Sequence, residues 1–257
     1  MGNIICNTRK RKSRRNKMKI RAYWHPGENF GDRLTPIIVS YITNREVVRR
    51  LDSPRLFCVG SIISNAKPGD VVWGAGVIVP EQLENIDKGV RFAMVRGPKT
   101  REILVKKGFD VPEFTADPAM LLCEIYKNFS VEKRYKEGLI PHVLAYESVR
   151  RDNLNAFVIN LSKPIEEVIR DILSCERIYS ESLHGLVCAE VFGIPVVLKT
   201  FWNHKFDFEW KFEDYYLSTD RKIVRSFEEW EKPRVDMEKI KSSFPWEVLP
   251  VEDEWIW

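Results

Sequence analysis

The chain has 257 residues, of which 44% are hydrophobic and 30% charged, with 13 Gly and 14 Pro. This composition is typical of a globular protein and excludes disordered, collagen-like and silk-like chains. The five cysteines are widely spaced and form no C-x-x-C pair, which argues against a disulfide framework or a zinc knuckle and predicts a reducing compartment. No apolar run reaches the roughly 18 residues that span a bilayer, so we expect a cytoplasmic protein.

Charge is concentrated at the start of the chain. The net charge is +4, but the first 22 residues hold nine Lys and Arg and no acid, which leaves 32 basic residues against 37 acidic ones in the rest. We therefore expect residues 1–17 to form a disordered basic arm. Three roles are open: no function, peripheral contact with an anionic membrane aided by acylation at Gly2 or Cys6, and binding to nucleic acid, which is the least favoured.

The body of the chain alternates short apolar runs with amphipathic segments, which predicts an α/β fold with a mostly parallel sheet. In the first of two predicted domains, residues 18–125, apolar residues from Leu34 to Ile42 recur at the spacing of one helix face. A second helix is predicted from Pro98 to Lys107. The strands predicted in this domain lie near residues 20–24, 55–59, 71–73 and 90–95.

The polar stretch 122–138 predicts a domain junction, and residues 126–226 then form a second α/β domain. One of its helices has Pro164 in the first turn and Ser162 as a possible cap, and another is ended by Gly193. The strands predicted here lie at 142–146, 156–161, 177–179 and 194–198, and a tail, 227–257, is predicted to form one helix and an extended end.

Several loops after predicted strands carry residues suited to ligand binding. Ligands on open α/β sheets bind beyond the carboxyl ends of the strands, where helix N-termini favour anions. Asn29, Gly31 and Asp32 follow the first strand and form either such a site or an N-cap turn. Gly74 and Gly76 leave room for a phosphate or sugar against the backbone, although the pair lacks the third glycine of a dinucleotide fingerprint.

One arginine and the histidines are the remaining candidates. Arg96 ends a strand beside a helix N-terminus, where its guanidinium can bind phosphate or carboxylate or simply lie on the surface. His184 lies in the first turn of a helix and off its apolar face, which favours acid–base work near neutral pH or a capping role. His142 stands at the start of a predicted strand, where it can face a ligand-binding cleft, whereas His25 and His204 fit structural or surface roles. No metal-ligand spacing is present, so no metal is predicted.

Taken together, these loops resemble the polysaccharide pyruvyl transferase family. The resemblance covers about residues 18–225, in the family's order, and leaves the basic arm outside. The segment 206–221, which contains FEWKFEDYY, is similar to the branch that decorates exopolysaccharides of the succinoglycan type. The segments that carry the resemblance are NFGDRLTP at 29–36, VWGAGV at 72–77, VRGPKTREIL at 95–104, ADPAML at 116–121, LIPH at 139–142, residues 164–175, SESLHGLVCAEVFGIPVV at 180–197 and FEWKFEDYY at 208–216.

The resemblance implies two Rossmann-like domains that face each other across a cleft, as in GT-B glycosyltransferases. It also implies transfer of pyruvate from phosphoenolpyruvate to a sugar or glycan acceptor as a ketal, with loss of phosphate and no cofactor besides the donor. His184 matches the family's motif histidine and is the implied acid–base residue. The residues implied to bind substrate are Asn29, Gly31, Asp32, Gly74, Gly76, Arg96, His142, Ser182, Gly185 and Lys205.

The chain departs from the family at one position. Many members have an arginine two residues before the motif histidine, where this chain has Ser182. Arg96, Lys205 or Arg221 could then hold the anionic groups of the donor. Two alternatives remain open at this stage: a GT-B-like glycosyltransferase that uses a nucleotide-sugar, and a catalytically silent glycan-binding protein.

Overall fold

The computed structural model describes residues 18–201 and 208–253. In the first part of the chain, two helices begin where the sequence pattern predicts them, and four strands lie between these helices. Leu34, Ile38 and Val39 are buried on one face of its first helix. The elements here are β1 (Lys19–Tyr23), α1 (Leu34–Thr43), β2 (Val47–Arg49), β3 (Leu56–Phe57), β4 (Val71–Trp73), β5 (Arg91–Met94), α2 (Pro98–Lys106) and α3 (Leu122–Ile125).

The second part builds another set of strand–helix units and then returns towards the start of the chain. Gly193 ends one of these helices with a φ of 76°, a conformation that glycine adopts without strain. The elements here are β6 (Tyr135–Ile140), α4 (Tyr146–Asp152), β7 (Phe157–Val158), α5 (Ile165–Leu173), β8 (Cys175–Ser180), α6 (Leu183–Val191), β9 (Val196–Leu198), α7 (Glu209–Leu217), α8 (Met237–Ser242) and β10 (Val251–Glu252).

The strands form two sheets. In the first, β1, β3, β4 and β5 lie side by side in parallel, and β2 also pairs in parallel with β1. The short strand β10 pairs antiparallel with β1, with Ile20 opposite Val251. The helix and extended end predicted for the tail are thus α8 and β10, and the extended end belongs to the first sheet.

The second sheet has the order β7-β6-β8-β9, and all its strands are parallel. The chain runs from β6 outwards to β7 and then crosses to β8 on the other side of β6. The strand order therefore reverses between β6 and β8. A ligand is expected beyond the carboxyl ends of strands at such a reversal.

Two local predictions were wrong. The strand predicted at 142–146 is a 3₁₀ turn leading into α4, because Pro141 has no N–H for a ladder and His142 caps the turn by accepting a hydrogen bond at Nδ1 from Leu144 N at 3.4 Å. Ser162 does not cap α5, since Pro164 stands at the N-cap.

Buried side chains from both sheets form one continuous cluster, which includes Trp73 from the first sheet and Ile140 from the second. Helix α6 lies inside this cluster, and all nine of its residues are buried. The prediction that His184 lies off an apolar face assumed that α6 has one buried and one exposed face. This is wrong, because every face of α6 is buried. The division into two domains at residue 125 stays a prediction.

The predicted basic arm, residues 1–17, lies outside the described residues, as does Lys205. Within residues 18–201 and 208–253, no helix combines the length and the apolar character needed to cross a membrane.

Candidate active site

A cavity of about 680 Å³ opens beyond the carboxyl ends of strands from both sheets. Its walls come from the segments that follow β1, β3, β4, β6, β7 and β8 and from the start of α7. The cavity thus includes the reversal point of the second sheet, which is the place where ligands bind in open α/β sheets. The side chains on its wall that can carry charge or move protons include Asp32, His142, His184 and Lys211.

His184 stands in the first turn of α6 and reaches the cavity with 8% of its surface exposed. Ser182 caps this helix, since its Oγ accepts a hydrogen bond from Gly185 N at 3.3 Å. The imidazole lies directly over Gly31, where an added Cβ would stand 2.7 Å from His184 Cγ and overlap the ring. Gly31 therefore makes room for the histidine, and its own backbone does not line the cavity.

Asp117 faces His184 from the first sheet. A parallel bridge between Val95 and Thr115 brings this segment to the carboxyl edge of β5. Asp117 Oδ1 accepts a hydrogen bond from Ala119 N at 2.9 Å, and Oδ2 lies 3.4 Å from His184 Nε2. Among the described residues neither of these two facing atoms has a hydrogen-bond partner. The fully buried carboxylate is thus positioned to orient the imidazole and to stabilise its protonated form.

The sequence pattern did not indicate Asp117 as a partner of the histidine. The segment 116–121 entered only through the family resemblance. The available signal was the Asp-Pro pair at 117–118, which favours a carboxylate that caps the following turn.

Asp32 lies on the cavity wall, and Asn29 Nδ2 donates a hydrogen bond to its Oδ2 at 3.3 Å. Burial raises the pKa of Asp32, although the nearby His184 and Asn29 act in the opposite direction. A carboxylate with a raised pKa is a stronger proton acceptor than an exposed one. Asp32 is therefore suited to accept a proton from a hydroxyl in the cavity.

Lys211 is a second residue that the sequence reading missed. It projects from the first turn of α7 to the cavity wall with 8% of its surface exposed. Burial and the nearby Arg96 lower the pKa of Lys211 to about 7, against the opposing effects of Glu181 and Asp32. The amine can therefore gain or lose a proton near neutral pH.

The predicted anion-binding Arg96 is fully buried behind the wall. Its guanidinium donates to Ser61 Oγ at 3.0 Å and to Val77 O at 2.6 Å, and it lies 3.7 Å from Asp214 Oδ2. An added Cβ at Gly76 would stand 2.6 Å from the Arg96 guanidinium nitrogen. The glycine at this position thus accommodates Arg96, and Ser61, which accepts a hydrogen bond from the guanidinium, lines the cavity.

The other predicted residues are placed as follows. Gly74 has a φ of 92° and packs against Pro118, while an added Cβ at Gly185 would stand 2.9 Å from Ile140 Cγ2. Arg221 forms a bidentate ion pair with Glu190 at 2.7 and 2.8 Å. Of the predicted site residues, Asn29, Asp32, His142, Ser182 and His184 line the cavity; Gly31, Gly74, Gly76, Arg96 and Gly185 do not; and Lys205 lies outside the described residues.

No group of three or more His, Cys, Asp or Glu that could hold a metal ion occurs in the part of the chain that the structure describes. The cavity instead combines an imidazole–carboxylate pair, a second carboxylate and an amine at a helix-rich edge of parallel sheets. In this α/β protein, such an arrangement is suited to acid–base chemistry on a polar ligand.

The family follows from comparison with known proteins. A model of the polysaccharide pyruvyl transferase family matches residues 3–200, so the chain belongs to this family, which implies a transferase. The match begins inside the basic arm, which the sequence resemblance had left out, and ends before the segment 208–216.

Two curated proteins are similar to the chain. The chain is 28% identical over 209 residues to an uncharacterized protein of Acanthamoeba polyphaga mimivirus. The matched region covers 75% of this chain and 71% of that protein. The chain is 27% identical over 187 residues to the succinoglycan biosynthesis protein ExoV of Rhizobium meliloti, which covers 67% of this chain and 57% of the relative. No solved structure gives a significant match.

Proposed function

We propose that the chain transfers pyruvate from phosphoenolpyruvate to a sugar of a glycan or lipid-linked oligosaccharide, forms a ketal and releases phosphate. Family membership and the similarity to a succinoglycan biosynthesis protein support pyruvyl transfer in polysaccharide biosynthesis. The observation that carries the proposal is the cavity in which His184, backed by Asp117, stands at the start of α6. In this proposal the two sheets belong to two facing lobes of the GT-B kind.

The reaction needs one acid and one base. A proton added to the methylene carbon of the donor makes C2 electrophilic, and a sugar hydroxyl then attacks C2 and loses its proton. Phosphate leaves with its bridging oxygen, and a second hydroxyl closes the ketal with loss of another proton. Overall, one donor and one diol give one ketal and one phosphate, so no further cofactor is required.

The described residues can supply both groups. His184 donates the proton to the methylene carbon, and Asp117 stabilises the imidazolium that the histidine must carry beforehand. Asp32 accepts the hydroxyl proton, because burial raises the pKa of its carboxyl group. The open N–H groups at the start of α6 favour an anion beside His184.

The test is to incubate the purified chain with phosphoenolpyruvate and a panel of sugars that present neighbouring hydroxyls. Phosphate release that depends on the acceptor, together with a mass increase of about 70 Da on that acceptor, would support the proposal. Release of a nucleoside diphosphate from a nucleotide-sugar would point to a glycosyltransferase instead. Turnover of neither donor across the panel would contradict the proposal.

A further inference from the structure

We infer that Lys211 binds an anionic group of the donor and takes up a proton as the donor binds. The inference rests on the proposed function for the identity of the donor, which carries a phosphate and a carboxylate. Nothing in the sequence resemblance assigns a role to this lysine. Many family members have an arginine at the position of Ser182. In this chain, Lys211 would supply the positive charge that Ser182 lacks.

The cavity wall offers few cations. Among the described residues that line the cavity, Lys211 is the only Lys or Arg. Arg96 lies behind the wall, and Arg221 is held by Glu190. A small ligand with two anionic groups needs a positive partner in such a site, because an unpaired anion is costly to bury.

The amine of Lys211 lacks a hydrogen-bonding or anionic partner among the described residues. In the part of the chain that the structure describes, its Nζ forms no hydrogen bond or ion pair, although the side chain is more than nine-tenths buried. Two aromatic rings lie beside the amine, with Nζ 4.4 Å from the ring centroid of Phe208 and 5.3 Å from that of Phe212. Aromatic faces attract an ammonium group but leave its N–H donors open. An anion in the cavity would complete this site.

Charged groups face Lys211 from several elements. Asp32 approaches from the loop after β1, Glu181 from the loop after β8 and Arg96 from the end of β5. On α7 itself, Asp214 turns to Thr100 and Arg96 instead. The guanidinium of Arg96 repels the ammonium form, while the two carboxylates favour it without pairing with it directly.

The protonation of Lys211 should therefore respond to the ligand. Because its pKa lies at about 7 in the empty site, about half of the lysine is charged at pH 7 and about 1% at pH 9. A bound anion favours the charged form and raises this pKa. Affinity for the anion is thus highest below pH 7 and falls as the pH rises above the pKa of the empty site. The phosphate of the donor, whose second pKa is about 6, keeps a nearly constant charge in this range.

The experiment measures the Kd of phosphoenolpyruvate by titration calorimetry between pH 7 and pH 9, with inorganic phosphate and malonate as separate probes. We expect the affinity of the wild-type chain to fall roughly fifty-fold over this range, with proton uptake that grows towards pH 9. Lys211→Arg should bind with an affinity that stays flat, since an arginine remains charged. Lys211→Met should bind weakly at every pH.

A matched control is Lys99→Met, which removes a lysine that pairs with Glu213 beside the same helix but outside the cavity. It should keep the wild-type affinity and pH profile. Thermal melting shows whether Lys211→Met is folded. If it is not folded, the pH dependence of binding by the wild type and by Lys211→Arg tests the inference.

A wild-type profile that is flat between pH 7 and pH 9, or a folded Lys211→Met that binds as the wild type does, would overturn the inference while leaving pyruvyl transfer intact. Conversely, Lys211-dependent binding of phosphate or malonate without any turnover of phosphoenolpyruvate would support the anion site and reject the proposed function. Absence of binding of all three probes to the wild-type chain would also overturn the inference.

Discussion

At the scale of single residues, the site depends on how two side chains meet across the sheets. The buried Asp117 uses one oxygen to cap a turn and presents the other to His184. Because the first contact fixes the carboxylate, the second is positioned before any substrate arrives. A preorganised partner of this kind stabilises the imidazolium that, in the proposed reaction, donates the proton.

We expect His184→Ala to reduce kcat by about 10² to 10⁴-fold, the usual contribution of an acid–base residue. Asp117→Asn should also reduce kcat, by up to about 10⁴-fold, because an amide cannot stabilise the imidazolium. The asparagine keeps an oxygen for the cap at Ala119, so the fold should persist. Kinetics with the accepted sugar and melting curves check both variants. Wild-type kcat in a folded His184→Ala variant would remove the histidine from the mechanism.

Gly31 offers a second test of the same imidazole. An added Cβ overlaps the ring of His184, so Gly31→Ala must displace it and lower kcat nearly as much as His184→Ala does. In a His184→Ala background the overlap disappears, and Gly31→Ala should then change neither kcat nor melting temperature. The double-mutant cycle measures this coupling. Additive effects of the two substitutions would show that Gly31 acts independently of the histidine.

The sequence indicated part of this site because some signals are local. His184 and Ser182 follow a strand and start a helix, and that pattern is visible in a few neighbouring residues. Asp117 and Lys211 gave no comparable signal, since each reaches the site only through packing between distant segments. For Arg96 the sequence could indicate that the residue ends a strand. It could not indicate that the side chain is fully buried against Gly76.

At the scale of elements, α7 decides where Lys211 stands. This helix packs against α2 through Asp214, whose oxygens accept hydrogen bonds from Thr100 N at 3.0 Å and Thr100 Oγ1 at 2.7 Å. Gly97 precedes α2 with no side chain, and a Cβ there would overlap Asp214. The two helices therefore meet closely enough for α7 to reach the cavity.

We expect Asp214→Asn to lower the free energy of unfolding by about 3 kcal/mol, because it leaves the buried Arg96 without its facing carboxylate. Urea unfolding followed by tryptophan fluorescence measures the change. The matched control is Glu213→Gln, the neighbouring exposed residue that pairs with Lys99, which should cost less than about 1 kcal/mol. Equal losses in the two variants would show that the buried contact does not hold α7.

Helices and strands with regular local patterns were the most predictable elements. The predicted strand 71–73 coincides with β4, and the helix predicted from Leu34 is α1. The segment after β6 was mistaken for a strand because it is a short apolar run, whereas Pro141 and the cap at His142 turn the chain into a helix. The burial of α6 on every side could not be foreseen, because it depends on which elements surround it.

At the scale of the whole molecule, the last described strand closes the first sheet. Arg21 and Arg50 both contact Glu252, with Arg21 Nη1 2.9 Å and Arg50 Nε 2.8 Å from its Oε2. The hydrogen bond from Arg50 lowers the pKa of Glu252 below 4.5. This carboxylate therefore contributes stability above pH 4.5, which is lost as the pH falls through the folded-state pKa.

We expect Glu252→Gln to lower the free energy of unfolding by about 1 kcal/mol at pH 7, in keeping with partly exposed ion pairs. The difference from the wild type should shrink as the pH falls below 4.5, because the glutamate is protonated first in the unfolded state and then, below its lowered pKa, in the folded state. Thermal melting at a series of pH values measures it, with Glu247→Gln, an exposed residue of the same segment, as the control. A difference that is constant from pH 7 to pH 3 would exclude the charge as its cause.

The pairing of β10 with β1 also fixes where the chain enters and leaves. Lys19 and Glu252 stand opposite each other at the amino end of β1, whereas the cavity begins at the loop beyond its carboxyl end. Five residues of strand, about 17 Å, separate the two edges. A tether attached just before Lys19 or just after Glu252 would therefore lie at the edge of the first sheet opposite the cavity, and would leave the opening of the cavity accessible.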